Sequence, residues 1–95
     1  MAVSTTFLAK VKLALRVSST SFDSQITDLI EEAILDLTTT ADIATFTTDT
    51  ADAVQTGAVI AYVSYKWYSD EKYFRAYNDM KMKMSTSSAY RPEVV

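Results

Sequence analysis

One glycine, Gly57, and one proline, Pro92, are the only residues of these two types in a chain of 95 residues. A many-stranded sheet reverses direction every few residues and draws on such residues at each reversal, so this chain holds too few to build one. Long helices need none of them. With 48% of its residues hydrophobic, the chain has enough apolar surface for a single core, and its length fits one domain. The expected fold is all-α: a small bundle of about four helices with a Thr-rich loop between the second and third and a flexible C-terminal tail.

Periodicity places the helices. From Thr5 to Arg16, residues Phe7, Leu8, Val11, Ala14 and Leu15 recur at helical spacing, with Lys10, Lys12 and Arg16 outside the stripe. Leu13 points away from it, either as a lone exposed leucine, which is ordinary, or as a contact with another chain. Val17 to Ser21 reads as a polar connector, and Ser21 or Asp23 is placed to cap the next helix. There Ile26, Leu29, Ile30, Ala33, Ile34 and Leu37 cover an arc of about 140°, opposite Asp28, Glu31, Glu32 and Asp36.

The period breaks from Thr38 to Thr50, which reads as a threonine-rich loop pinned by Ile43 and Phe46. A third helix is expected from about Thr50 to Tyr68. Ala51, Val54, Ala58, Ala61, Tyr62 and Tyr65 lie on one side of it, and Ile60, Val63 and Trp67 on the other, so it belongs in the middle of the bundle, with Trp67 in the core or at a subunit contact. Gly57 costs about 1 kcal/mol there relative to alanine, which makes sense if another helix passes close by. Ser69, Asp70 and Glu71 suit the start of a fourth helix, with Tyr73, Phe74, Tyr77, Met80 and Met84 as its stripe. The expected division is a helical domain over 1–84 and a tail over 85–95.

Little in the sequence points to chemistry. Cysteine and histidine are both absent, which removes thiol nucleophiles, imidazole bases and nearly every zinc-type ligand. Asp28, Glu32 and Asp36 fall at i, i+4 and i+8, but a charged stripe opposite an apolar one is what any amphipathic helix carries, and it reads as a solvated face. No serine sits in a nucleophile elbow. The expectation is a protein that is not an enzyme, with no catalytic, cofactor-binding or metal-binding residues. The rings of Tyr62, Tyr65, Trp67, Tyr68, Tyr73, Phe74 and Tyr77 read as core or protein interface, because single-strand binders also need a basic groove and the net charge here is -3. The pair Asp23-Ser24 resembles the attachment site of an acyl or peptidyl carrier protein, although Gln25 stands where the leucine is usual and only a short helix precedes it. No run approaches the ~20 apolar residues that span a bilayer, and Met1 to Val17 lacks the features of a secretory signal, so assembly in a cytoplasm without a membrane is expected.

Charge is unevenly distributed. Every charged residue from Asp23 to Asp52 is acidic, while Lys10, Lys12 and Arg16 precede that block and lysines and arginines predominate after it. The acidic middle can pair with the basic ends within one copy or between copies.

The order of ITDLIEEAILDL (Ile26 to Leu37), Ile43, AVIAYVSYKWY (Ala58 to Tyr68) and KYFRAYNDMKMKM (Lys72 to Met84) resembles the head-tail connector, or adaptor, proteins of long-tailed bacteriophages. The resemblance covers roughly Phe7 to Arg91 and rests on an order of helices, not on an invariant string. Many members carry a glycine in the loop where this chain reads Thr40-Ala41-Asp42. The resemblance implies a virion component at the head-tail junction with no enzymatic activity. It also implies a homo-oligomeric ring of about twelve copies under the portal protein, with a further connector or tail protein below and double-stranded DNA passing through without sequence recognition. Another small helical protein-protein interaction module and the carrier protein are the alternatives. Candidate interface residues are Lys10, Lys12, Leu13 and Arg16 on the basic side, and Asp28, Glu31, Glu32 and Asp36 on the acidic side. Tyr90 and Arg91 in the tail join them, as types that dominate binding hot spots.

Overall fold

The computed structural model describes residues 3–40 and 46–86, which form four α-helices: α1 (Thr5–Leu15), α2 (Asp23–Thr40), α3 (Ala53–Tyr68) and α4 (Glu71–Thr86), with a 3-10 turn at Thr20–Phe22. No strand occurs among the described residues. The all-α expectation holds.

Sequence chemistry sets each helix end. Ser4 caps α1, its side chain accepting from the Phe7 amide at 3.1 Å. Asp52 and Gln55 form a reciprocal capping box at the start of α3, with bonds of 2.8 and 2.9 Å. With glycine so scarce, the C-caps of α1 and α3 fall to Arg16 (φ 57°) and Ser69 (φ 55°). Both lie in the left-handed region, which costs a side-chain-bearing residue about 1 kcal/mol relative to glycine.

Three boundaries differ from the sequence expectation. α2 continues through Thr38 and Thr39, whose hydroxyls fold back onto the carbonyls of Ile34 and Leu35 at 3.0 and 2.7 Å and so do not compete for the backbone amides. α4 likewise runs to Thr86, with the hydroxyls of Ser85 and Thr86 bonded to the Met82 carbonyl at 3.0 Å. The break expected at 84–85 therefore does not occur, and residues 87–95 lie outside the described residues, as does Ile43. At the other end α3 begins at Ala53, since the Asp52 box and a turn over Thr48–Thr50 replace its expected first residues.

Ser19 caps the 3-10 turn that precedes α2, its hydroxyl accepting from the Ser21 amide. Asp23 is turned toward α1: its Oδ1 takes no aligned hydrogen bond and lies 2.7 Å from Lys12 Nζ as an ion pair.

The core gathers Phe7, Val11 and Leu15 from α1 with Ile26, Ile30, Ala33, Ile34 and Leu37 from α2, and with Phe46, much of α3, Tyr77 and Met84. Burying each large aliphatic side chain contributes about 1.5–3 kcal/mol, against about 1 kcal/mol for a cap. Packing of the apolar stripe therefore decides that α2 forms, and capping trims its ends. α3 packs against α1, α2 and α4, as its apolar surface requires. Ala14 and Val54, expected in stripes, are exposed, and Trp67 is half-buried, its ring edge-on to Phe22 at 5.4 Å.

Hydrogen bonds fix the direction of the helices. The Ser4 amide donates to Thr48 Oγ1 at 2.9 Å just ahead of α3, and at the other end the Tyr68 hydroxyl donates to the Leu15 carbonyl at 2.8 Å. α1 and α3 therefore run together, with α2 and α4 opposed to them.

α4 does pass Gly57, but a Cβ there would lie 3.5 Å from Sδ and Cε of Met80, an ordinary contact with a flexible side chain. Packing does not demand glycine. Gly57→Ala is expected to stabilise the fold by about 0.5–1 kcal/mol, read as a higher Tm; a lower Tm would show that Met80 has no room to give.

Candidate interaction surfaces

Acidic residues of α2 meet tyrosines and lysines of α3 and α4. The Tyr62 hydroxyl donates to Glu32 Oε1, and Lys66 Nζ stands 3.8 Å from the same oxygen. One turn further on, the Tyr77 hydroxyl and Lys81 Nζ, the latter at 3.0 Å, both donate to Asp36 Oδ2. The i, i+4 spacing of Glu32 and Asp36 puts them on neighbouring turns, so each receives one phenol.

Burial, then the hydrogen bond to Glu32 and its charge, holds the Tyr62 phenol well above the ordinary tyrosine pKa. Burial, then Asp36, does the same for Tyr77. Both phenols are thus donors fixed in their neutral form. Lys81 Nζ lies 5.6 Å from the centre of the Tyr77 ring, and Lys66 Nζ lies 5.7 and 5.8 Å from those of Tyr62 and Tyr65.

The rings continue as a ladder between α3 and α4: Tyr62 with Tyr77 at 5.1 Å, Tyr65 with Phe74 at 4.8 Å, and Tyr68 with Tyr73 at 5.8 Å. This arrangement ties three helices together. Within it Glu32 is matched to Tyr62 and Lys66, and Asp36 to Tyr77 and Lys81, and among the described residues no group of three or more acidic, His or Cys residues converges to hold a metal ion.

The candidate interface residues divide accordingly. Lys12 pairs with Asp23, and Glu32 and Asp36 are engaged by α3 and α4, so these three candidates serve the chain's own bundle. Lys10, Arg16 and Asp28 are exposed, Glu31 is half-buried, and none of the four forms an ion pair among the described residues. Leu13 is 80% exposed, at the rim of an open groove of about 380 Å³ that Leu8, Ala9 and Val17 also line. Tyr90 and Arg91 lie outside the described residues. Ser24, in the first turn of α2, is exposed.

Sequence reading missed Leu35. It is 61% exposed and stands on the outer face of α2, with Glu31 and Glu32 one turn before it. The signal was present: a leucine one step after Ile34 cannot share the stripe centred on Ile30 and Leu37, since each residue turns the helix by about 100°.

No helix among the described residues is long and apolar enough to cross a membrane. No family model, curated protein or solved structure matches the chain.

Proposed function

We propose that this chain is a structural adaptor of a tailed phage, a head-tail connector whose copies ring the channel beneath the portal and carry the next connector or tail protein. The observation that carries the proposal is the division of its polar groups. The carboxylates best placed for chemistry, Glu32 and Asp36, are held by tyrosines and lysines of the same bundle. Among the groups that face outward are a basic face on α1 and an acidic face on α2, each with an exposed leucine. Such a surface suits contact with other proteins. Carboxylates that face a channel would also let DNA slide, because phosphates are repelled by them and retained by lysines.

The test is co-sedimentation of the purified chain with portal-bearing heads that lack their tails. Saturable attachment is expected, at about the copy number of a cyclic ring under the portal. Failure to attach at any ratio of chain to heads would overturn the adaptor reading.

A further inference from the structure

We infer that the outer face of α1 in one copy of this chain docks onto the outer face of α2 in the next, with the neighbour's Leu35 seated in the groove beside Leu13. Two exposed leucines stand in opposite electrostatic surroundings. Lys10 and Arg16 lie three residues before and after Leu13, and Glu31 lies one turn before Leu35 with Asp28 a further turn back. Leu13 and Leu35 are 80% and 61% exposed, and Lys10, Arg16, Asp28 and Glu31 find no ion partner among the described residues. A lone exposed leucine is ordinary. Two of them in complementary charged settings on different helices supply both halves of one contact.

Charge also selects which faces meet. A two-fold contact of α1 with α1 would set Lys10 and Arg16 of one copy against the same residues of the other, and α2 with α2 would oppose Asp28 and Glu31 in the same way. Only the mixed contact places opposite charges together, and a single such contact leaves the pair with one free α2 face, on the first copy, and one free α1 face, on the second. Copies can therefore add head to tail. In the groove of about 380 Å³, Leu8, Ala9, Leu13 and Val17 offer apolar surface for the incoming Leu35 side chain, beside the Lys12–Asp23 pair that also lines it. The contact deepens the adaptor reading and rests on it only for the number of copies that close.

The chain has no cysteine, which gives a direct test. Leu13→Cys and Leu35→Cys proteins, each confirmed folded by helical circular dichroism, are mixed in equal amounts in a low-salt glutathione redox buffer. If the faces meet, the two sulfurs fall within disulfide reach, and the ratio of mixed to symmetric dimers should exceed the 1:1 of random pairing by about tenfold. Adding Lys10→Glu and Arg16→Glu to the Leu13→Cys protein, or raising salt to ~1 M, where screening acts over ~3 Å, should return the products toward random. A random distribution at low salt, or a preference for either symmetric dimer, overturns the contact. Wild-type attachment to heads tests the adaptor reading separately. Attachment with random cross-linking sinks only this contact, and directed cross-linking without attachment sinks only the adaptor.

Discussion

Replacing Tyr77 by alanine is expected to cost about 3–5 kcal/mol, the range for truncating a buried aromatic side chain. A chain of this size has roughly 5–14 kcal/mol in total, so the variant should be close to unfolded at moderate temperature. The ring is 1% exposed, lies edge-on to Tyr62 and carries a hydroxyl bonded to Asp36. Tyr77→Phe keeps the ring and leaves Asp36 its contact with Lys81, so it should cost only about 1–2 kcal/mol. Urea unfolding followed by helical circular dichroism separates the two. Equal losses would mean that the phenol, and not the packing of the ring, holds α4 in place.

Alkali is expected to unfold the protein. Tyr62 and Tyr77 hold their protons more tightly when folded than when unfolded, first because burial disfavours the phenolate and then because a carboxylate accepts each hydroxyl. A group whose folded pKa is raised contributes stability that is fully present below its unfolded pKa, near 10 for tyrosine. That contribution falls as pH climbs above this value toward the folded one, because the unfolded chain then releases protons the folded chain retains. Stability should be level in pH through the neutral range on account of these two groups and should drop steeply above about pH 10. A Tyr62→Phe, Tyr77→Phe double variant has no such phenols and should lose much of that alkaline drop, whatever its stability at neutral pH. Identical alkaline slopes for the two proteins would refute the assignment.

The α2 stripe was legible because Ile26, Ile30, Ile34 and Leu37 repeat on one face and no partner is needed to see it. All are fully buried. The end of α2 was not legible, since threonine reads as a loop former until its hydroxyl is seen bonded to the preceding turn. The charge division foretold pairing without saying where. Within the copy it is realised as Lys12 with Asp23, Lys66 with Glu32 and Lys81 with Asp36. The phenol contacts were hidden because Tyr62 and Glu32 are 30 residues apart, and Tyr77 and Asp36 are 41 apart. Such pairings depend on how helices cross, and a single helix's period carries no record of that. Of the outward-facing leucines, Leu13 was visible against its stripe, whereas Leu35 was overshadowed by the acidic residues around it.

The half-buried Trp67 has a consequence for how the molecule is watched. It is the only tryptophan, in the last turn of α3, and its ring meets Phe22 of the 3-10 turn that joins α1 to α2. The tyrosine ladder belongs instead to the seam of α3 with α4. The chain thus carries two optical reporters on two different joints: indole emission follows the connection of α1 to α2, and tyrosine absorbance follows the closing of the α3–α4 hairpin.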